Sequence, residues 1–312
     1  MTASRTPELA AAVHTHEFRA MGSRAYIVVH GGTTEMLARA VDRVRDLEAW
    51  WSRFQVDSDV TRANQAAGRP VVVHADTLAV VARAMEAWRQ TNGRFDITTL
   101  PALISHGYTH SAVNCEPAPL ITGTRVGTSA LIGVDYLAST ITVPARSAID
   151  LGGIGKGFAA DIVAEDLIEA GALGALVNIG GDLVVLGRPS DDESWYLGIE
   201  DPRDPSSHIA RLRLDCGAIA TSGTTIRRWV RPDGSHAHHL IDPCRAQPSD
   251  SGIVTATVIA ADAATAEVYA TALTLMAGID GVALLAAVQL AGIAVDDSGA
   301  VFTTSTLKDF LV

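Results

Sequence analysis

One stretch, "IDLGGIGKGFAADIVAEDL" at residues 149 to 167, restricts the fold more than any other part of the chain. Gly152, Gly153, Gly155 and Gly157 let the backbone turn sharply and approach a neighbour closely. The run from Phe158 onward then reads as a helix. A helix entered from such a turn offers free N–H groups and the positive end of its dipole, and Lys156 can add a point charge to an anion held there. The pattern is neither the Walker sequence nor the dinucleotide fingerprint. The residues alone therefore leave two alternatives, an anion-holding loop and a tight structural turn. Asp150 and Asp161 flank the loop, where each can orient Lys156, meet a ribose hydroxyl, cap a helix or stay solvated.

The surrounding pattern alternates strands and helices. "HEFRAMGSRAYIVVHGG" predicts a strand and a turn. In "MLARAVDRVRDLEAWWSRF", Leu37, Val41, Val44, Leu47, Trp51 and Phe54 recur at spacings of three and four, which predicts an amphipathic helix. "RPVVVHA" predicts a strand and "DTLAVVARAMEAWRQTNG" a second helix, with Asp76 as its cap and Gly93 as its end. Short β pieces follow at "SALIGVDY" and "STITVP". Beyond the glycine loop, "GALVNIGGDLVVLG" predicts two strands around a glycine turn. Further strands are expected at "WYLGIEDP", "HIARLRL", "AIATSG" and "GIVTATVIA". Helices are expected at "ATAEVYATALTLMAG" and "DGVALLAAVQLAG", and a hairpin at "IAVDDSGAVFTTS". With no repeat or linker, residues 16–312 read as one compact α+β unit with mixed or antiparallel sheets and packed helices, divisible into two lobes, behind a flexible segment at residues 1–15.

The 312 residues are 48% hydrophobic and 19% charged, enough apolar material for a packed core. A net charge of −11, with Lys and Arg scattered along the chain, excludes a general nucleic-acid binder. Cys115, Cys216 and Cys244 lack metal-ligand spacing and give no disulfide framework. No apolar run is long enough for a membrane span, and "MTASRTPELAAAVHTHEF" lacks a signal-peptide core, so a cytoplasmic location is expected.

Two more clusters carry candidate chemistry. Glu267 and Thr271 lie four apart and share a helix face otherwise built of alanines and Leu273. A carboxylate buried there needs a partner. One alternative is a hard cation such as Mg²⁺, which takes oxygen ligands and bridges to phosphates. The other is an arginine, with Thr271 bonded to its own helix backbone. In "ATSGTTIRRWVRPDGSHAHHLIDPCRAQP", Thr221, Ser222 and Gly223 form a polar turn, and a hairpin is expected at Asp233-Gly234. His238 and His239 then point to opposite sides of a strand, so they are not joint metal ligands; the inward one is either a satisfied core residue or a functional group.

These pieces, in order, resemble the ApbE family of FAD:protein FMN transferases over roughly residues 17 to 290. "FRAMGSRAYIVV" resembles the family's Met-Gly-Thr strand, and "WWSRFQVDSDVTRANQAAG" its Ser-Arg-Phe, Ser-Glu, Asn segment. "GRFDITTLPALISHGY" resembles its Gly-x-Phe-Asp-x-Thr run. "DLGGIGKGFAAD" is similar to its Asp-Leu-Gly-Gly-Ile-Ala-Lys-Gly-Tyr-x-x-Asp. "VNIGGDLVVLG", "ATSG", "HHLIDP" and "AEVYATAL" complete the set.

The resemblance implies a T-fold-like unit with an FAD site between two lobes. It implies transfer of the FMN half of FAD to a Thr or Ser of a partner flavoprotein, with AMP released, and Mg²⁺ (or Mn²⁺) required. Two rival expectations are an FAD pyrophosphatase giving FMN and AMP, and a non-catalytic FAD-binding protein. By motif matching, the metal ligands are Glu267, Thr271 and the carbonyl of Gly155. Gly153, Lys156 and Asp161 fall in the FAD site, with Met21, Ser58, Asn64, Phe95, Asp96, Asn178, Gly180, Gly181, Thr221, Ser222 and His239 among its walls. Lys156 would help neutralise the pyrophosphate if it points inward, and His239, Asp182 and Asp242 are candidates for the base that takes the acceptor's proton. The chain departs from the family pattern at Glu267, where Asp is usual, at Gly155, at Thr224-Thr225, and at Cys244 to Gln247.

Overall fold

The computed structural model describes residues 11–110, 118–190, 193–231 and 234–312. The chain opens with a hairpin, β1 (Val13–Ala20) and β2 (Ser23–His30), rather than a single strand. Met21 and Gly22, at φ 51° and 70°, form the reversal, because two consecutive residues at positive φ match the twist of a tight hairpin. Pairing begins at Val13 and so takes in the last three residues of the segment expected to be flexible.

Helix α1 (Thr34–Trp51) buries the predicted row Leu37, Val41, Val44, Leu47 and Trp51, and Thr33 Oγ1 caps its first turn by accepting from Met36 N at 3.3 Å. Then come α2 (Asp59–Gln65), β3 (Val71–Val72) and α3 (Ala75–Gln90). Asp76 does not cap α3: His74 holds that position, its ring bonded to Asp59 rather than to the first turn, and Asp76 pairs with Arg43 at 2.9 Å. Gly93 does end the helix, at φ +77°, with its N–H donated to Trp88 O. The short α4 (Leu100–Ser105) went unforeseen; β4 (Gly133–Asp135) and β5 (Thr140–Thr142) occupy the expected β pieces.

The second half supplies α5 (Gly155–Glu169), β6 (Gly174–Ile179), β7 (Asp182–Gly187), β8 (Trp195–Asp201), β9 (Asp204–Leu214) and β10 (Gly217–Gly223). The small hairpins β11 (Arg228–Val230) with β12 (His236–His238), and β13 (Ile241–Asp242) with β14 (Gln247–Pro248), come next. Of the expected Asp233-Gly234 turn, Asp233 lies outside the described residues. The chain ends with β15 (Ile253–Ala260), α6 (Ala263–Thr274), α7 (Gly278–Ala287), β16 (Ala291–Asp296) and β17 (Val301–Thr303).

Eight strands form one antiparallel sheet in the order β1-β2-β6-β7-β10-β15-β16-β17. Successive side chains alternate faces, so both faces read as apolar where both are covered. Ile27, Val29, Val177, Ile179, Ala220 and Val258 pack with the helices, while Val28, Leu176, Val185, Ile219 and Ile293 pack with Trp195, Ile199, Leu212 and Leu214 of the β8–β9 ribbon. The second expected lobe is only a satellite core of Leu100, Ala102, Leu103, Ala148 and Ile241. No helix among the described residues is long and apolar enough to cross a membrane. Cys216 and Cys244 are free, and Cys115 lies outside the described residues.

Candidate active site

The glycine loop opens against α6. Gly157 permits this, because a Cβ there would lie 2.3 Å from the carbonyl oxygen of Ala263, closer than any side-chain atom tolerates. Asp161, one turn further along α5, accepts from Ala263 N at 2.7 Å and Ala264 N at 2.9 Å. It thus caps α6 instead of lining a ligand site, and burial raises its carboxyl to about 7. Glu267 then faces the N-terminal turn of α5, accepting from Gly157 N at 2.8 Å.

Lys156 points inward and bridges two carboxylates, Asp182 and Glu267, the latter at 2.6 Å from Nζ. The partner of the buried Glu267 is therefore a lysine, not an arginine. Burial alone would pull the Lys156 ammonium down, but Asp182 and Glu267 more than offset it, so it stays protonated. One ammonium cannot balance both carboxylates. Burial and the Asp182 charge accordingly raise the Glu267 carboxyl to about 8. Thr271, on the same face of α6, has its Oγ 3.1 Å from Ser222 Oγ of β10.

These groups border a cavity of about 580 Å³, within the range of roughly 300–1,000 Å³ usual for small-molecule sites. Its walls include Met21, Phe95, Asp96, Gly153, Gly155, Lys156, Gly180, Asp182, Thr221, Ser222, His239, Glu267 and Thr271. The remaining predicted wall residues sit behind it in structural roles. Ser58 caps α2. Asn64 bonds both Ile149 N and Ile149 O, anchoring the extended segment that leads into the glycine loop. Asn178 accepts from Gly181 N, closing the β6–β7 turn without either residue lining the cavity. Asp242 caps Cys244 N and lies outside the cavity as well. Asp150 lines it, paired with Arg53 Nε at 2.7 Å and bonded to Gly152 N.

The two histidines do diverge. His238 Nε2 meets Ser249 O at 3.0 Å, whereas His239 faces the cavity with a buried Nδ1 that has no partner. Burial, then Arg227, lowers His239 to about 3, so the ring is neutral. Asp96 Oδ2 and Arg53 Nη1 are likewise buried without partners on this cavity. Orphaned polar atoms of both signs on one wall point to a polar ligand.

The sequence reading missed part of this wall. Arg53 lies over Phe54 and Tyr108, at 4.1 and 4.9 Å from their ring centroids, and Tyr108 stacks on Trp229 at 5.2 Å. Arg53 sits inside the quoted "WWSRF", the one signal that pointed to it. Arg94 and Arg227 also line the cavity; nothing in their neighbourhoods distinguishes them from solvated arginines.

The sequence pattern of the ApbE family matches residues 21–295, almost all of the segment that builds this cavity. The chain belongs to the ApbE family. Among curated proteins it is 28% identical to the FAD:protein FMN transferase of Vibrio cholerae, covering 89% of this chain and 85% of that protein. It is 27% identical to the Haemophilus influenzae protein of the same name, over 77% and 72% of the two chains. Among solved structures, the ApbE protein of Thermotoga maritima superposes with a TM-score of 0.84 at 26% identity, covering 96% of this chain and 99% of that one. The flavin transferase ApbE from Vibrio cholerae gives 0.79 at 25% identity, over 96% and 100%. The α+β architecture expected from the sequence is thus the ApbE architecture.

Proposed function

We propose that the chain is a flavin transferase that moves the FMN half of FAD onto a Thr or Ser hydroxyl of a partner flavoprotein and releases AMP. The observation that carries this is the convergence, in one cavity, of the glycine loop, Lys156, Glu267, Thr271 and His239 in a chain of the ApbE family. The names of its relatives supply the FAD and the protein acceptor.

Each group has a task that its surroundings support. The N-terminal turn of α5 and the protonated Lys156 suit a pyrophosphate. Met21, Phe95, Thr221 and the aromatic column around Tyr108 offer surface for the rings of FAD. Of the three candidate bases, Asp182 is tied to the protonated Lys156 and Asp242 caps Cys244 N outside the cavity, whereas neutral His239 presents a buried Nδ1 with no partner. His239 is therefore the group to take the acceptor's proton.

A divalent ion fits the donor set. Glu267 and Asp182 gather carboxyl oxygens around Lys156, and Thr271 adds a hard oxygen close to Gly153. Among the described residues no three His, Cys, Asp or Glu side chains gather as a complete cage. That suits Mg²⁺, which keeps waters and shares substrate phosphates. Glu267 and Thr271 would hold it, with the carbonyl of Gly155, and the ion would supply Lewis-acid stabilisation of the phosphates.

Purified protein incubated with FAD, Mg²⁺ and a flavoprotein domain bearing an acceptor Thr should release AMP and carry flavin fluorescence on the acceptor band. Both signals should be lost in Glu267→Ala. AMP with free FMN alone would replace the proposal with a pyrophosphatase, and FAD bound but intact would leave a binding protein.

A further inference from the structure

The cavity also holds a cation, Arg227, that the motifs do not account for. Arg227 lies on the segment between β10 and β11 and faces the same space as Lys156. Unlike Lys156, it pairs with no carboxylate; its one side-chain bond among the described residues is a long contact from Nη2 to Ser23 Oγ at 3.5 Å. The positive charge of Arg227 opposes the protonation of both Lys156 and His239. Holding like charges together on one cavity wall is unfavourable unless an anion enters between them.

Gly180, at φ +68°, closes the β6–β7 turn against Ser23 and Lys156: a Cβ there would lie 2.7 Å from Ser23 Oγ and 3.5 Å from Lys156 Cδ, so glycine keeps both side chains in place. Arg227 O accepts from His239 N at 3.2 Å, so the arginine and the proposed base are tied through the backbone. Arg227, Lys156 and His239 therefore line the same cavity.

We propose that Arg227, braced by Ser23 over Gly180, is a further catalytic residue that grips the phosphoryl group being transferred. This rests on the flavin-transfer reading. In the step, the acceptor hydroxyl oxygen bonds to the phosphorus of the FMN half as the bond from that phosphorus to the bridging oxygen breaks. The hydroxyl proton passes to His239, and AMP leaves with the bridging oxygen and its electron pair. Charge accumulates on the phosphoryl and bridging oxygens, where a forked guanidinium bonds two oxygens at once. The same charge offsets the Arg227 and Lys156 charges that, after burial, hold His239 neutral, so the base gains proton affinity as the reaction proceeds.

Arg227→Met and Arg227→Lys, compared with the parent protein, test this through AMP release, the FAD dissociation constant and binding of inorganic pyrophosphate. Removing one preorganised donor to developing charge costs about 100-fold or more in turnover. Arg227→Met should therefore lower kcat by about 100-fold while FAD affinity changes by less than about 10-fold, and Arg227→Lys should recover only part of the rate. Turnover within about threefold of the parent, or a loss confined to FAD affinity, would overturn the proposal. If the parent releases no AMP, the flavin-transfer reading has failed instead. Pyrophosphate titration then decides whether Arg227 serves an anion: binding weakened about 10-fold or more in Arg227→Met keeps the anion site, and equal binding removes it.

Discussion

The two sides of the cavity are held by different physics. On the α5–α6 side, backbone meets backbone at Gly157, Asp161 ties two N–H groups, and a buried ammonium is locked between two carboxylates. On the opposite side, Arg53 and Tyr108 line the cavity and Trp229 backs Tyr108; the three come from distant segments and meet through stacking and single bonds to carbonyls, Trp229 Nε1 to His106 O at 2.6 Å and Arg53 Nη2 to Tyr108 O at 3.0 Å. The first side has no slack, because each group is buried and committed. The second is a surface of half-buried rings that can be exchanged for others. Substitutions on the first side should therefore damage fold and chemistry together, and those on the second should change binding alone.

The sharpest break is Lys156→Met. Asp182 and Glu267, with side chains only 2% and 3% exposed, would be left without their cation. Breaking such a buried cluster costs about 3–5 kcal/mol, to be read from urea unfolding alongside loss of AMP release. Gly157→Ala comes next: the added methyl meets a backbone carbonyl that cannot rotate away, for a loss of about 1–3 kcal/mol and a displaced Glu267. On the other side, Trp229→Ala should remove about 1 kcal/mol of stacking, weaken FAD binding measured by fluorescence quenching, and leave turnover at saturating FAD within about threefold. An equal drop in kcat would erase the contrast between the two sides.

The smallest effect lies in pH dependence. Asp161 binds its proton more tightly in the folded chain, at about 7, than its usual 3.8. Its contribution to stability is thus fully present below about pH 4 and is lost as pH rises through about 7. Asp161→Asn should flatten the melting temperature across that window, and an unchanged slope would assign it to another group.

The same division explains what the sequence made legible. The glycine loop, Lys156, Glu267 and Thr271 lie in short local patterns whose spacing already implies a turn and a helix face. The sheet strands were readable because alternation and glycine turns are local too. Ser58, Asn64, Asp161 and Asn178 belong to the same motifs, yet they support the cavity from behind; a motif records that a residue is needed without saying whether it touches ligand or backbone. Asp76 matched a capping pattern but found Arg43 instead, a tertiary partner overriding a local preference. Tyr108, Trp229 and Arg227 went unread because their only relation is spatial.

The order of the central sheet also sets when a working site can arise. Ala25 in the first hairpin pairs with Ile179, and Ile219 pairs with Ile259, so the cavity closes only after long chain loops have been drawn shut. Such non-local pairing slows folding, whereas α1 and α3 need only near neighbours to form. During refolding from denaturant, helical signal therefore returns early, and the capacity to bind a dinucleotide returns in the last and slowest phase.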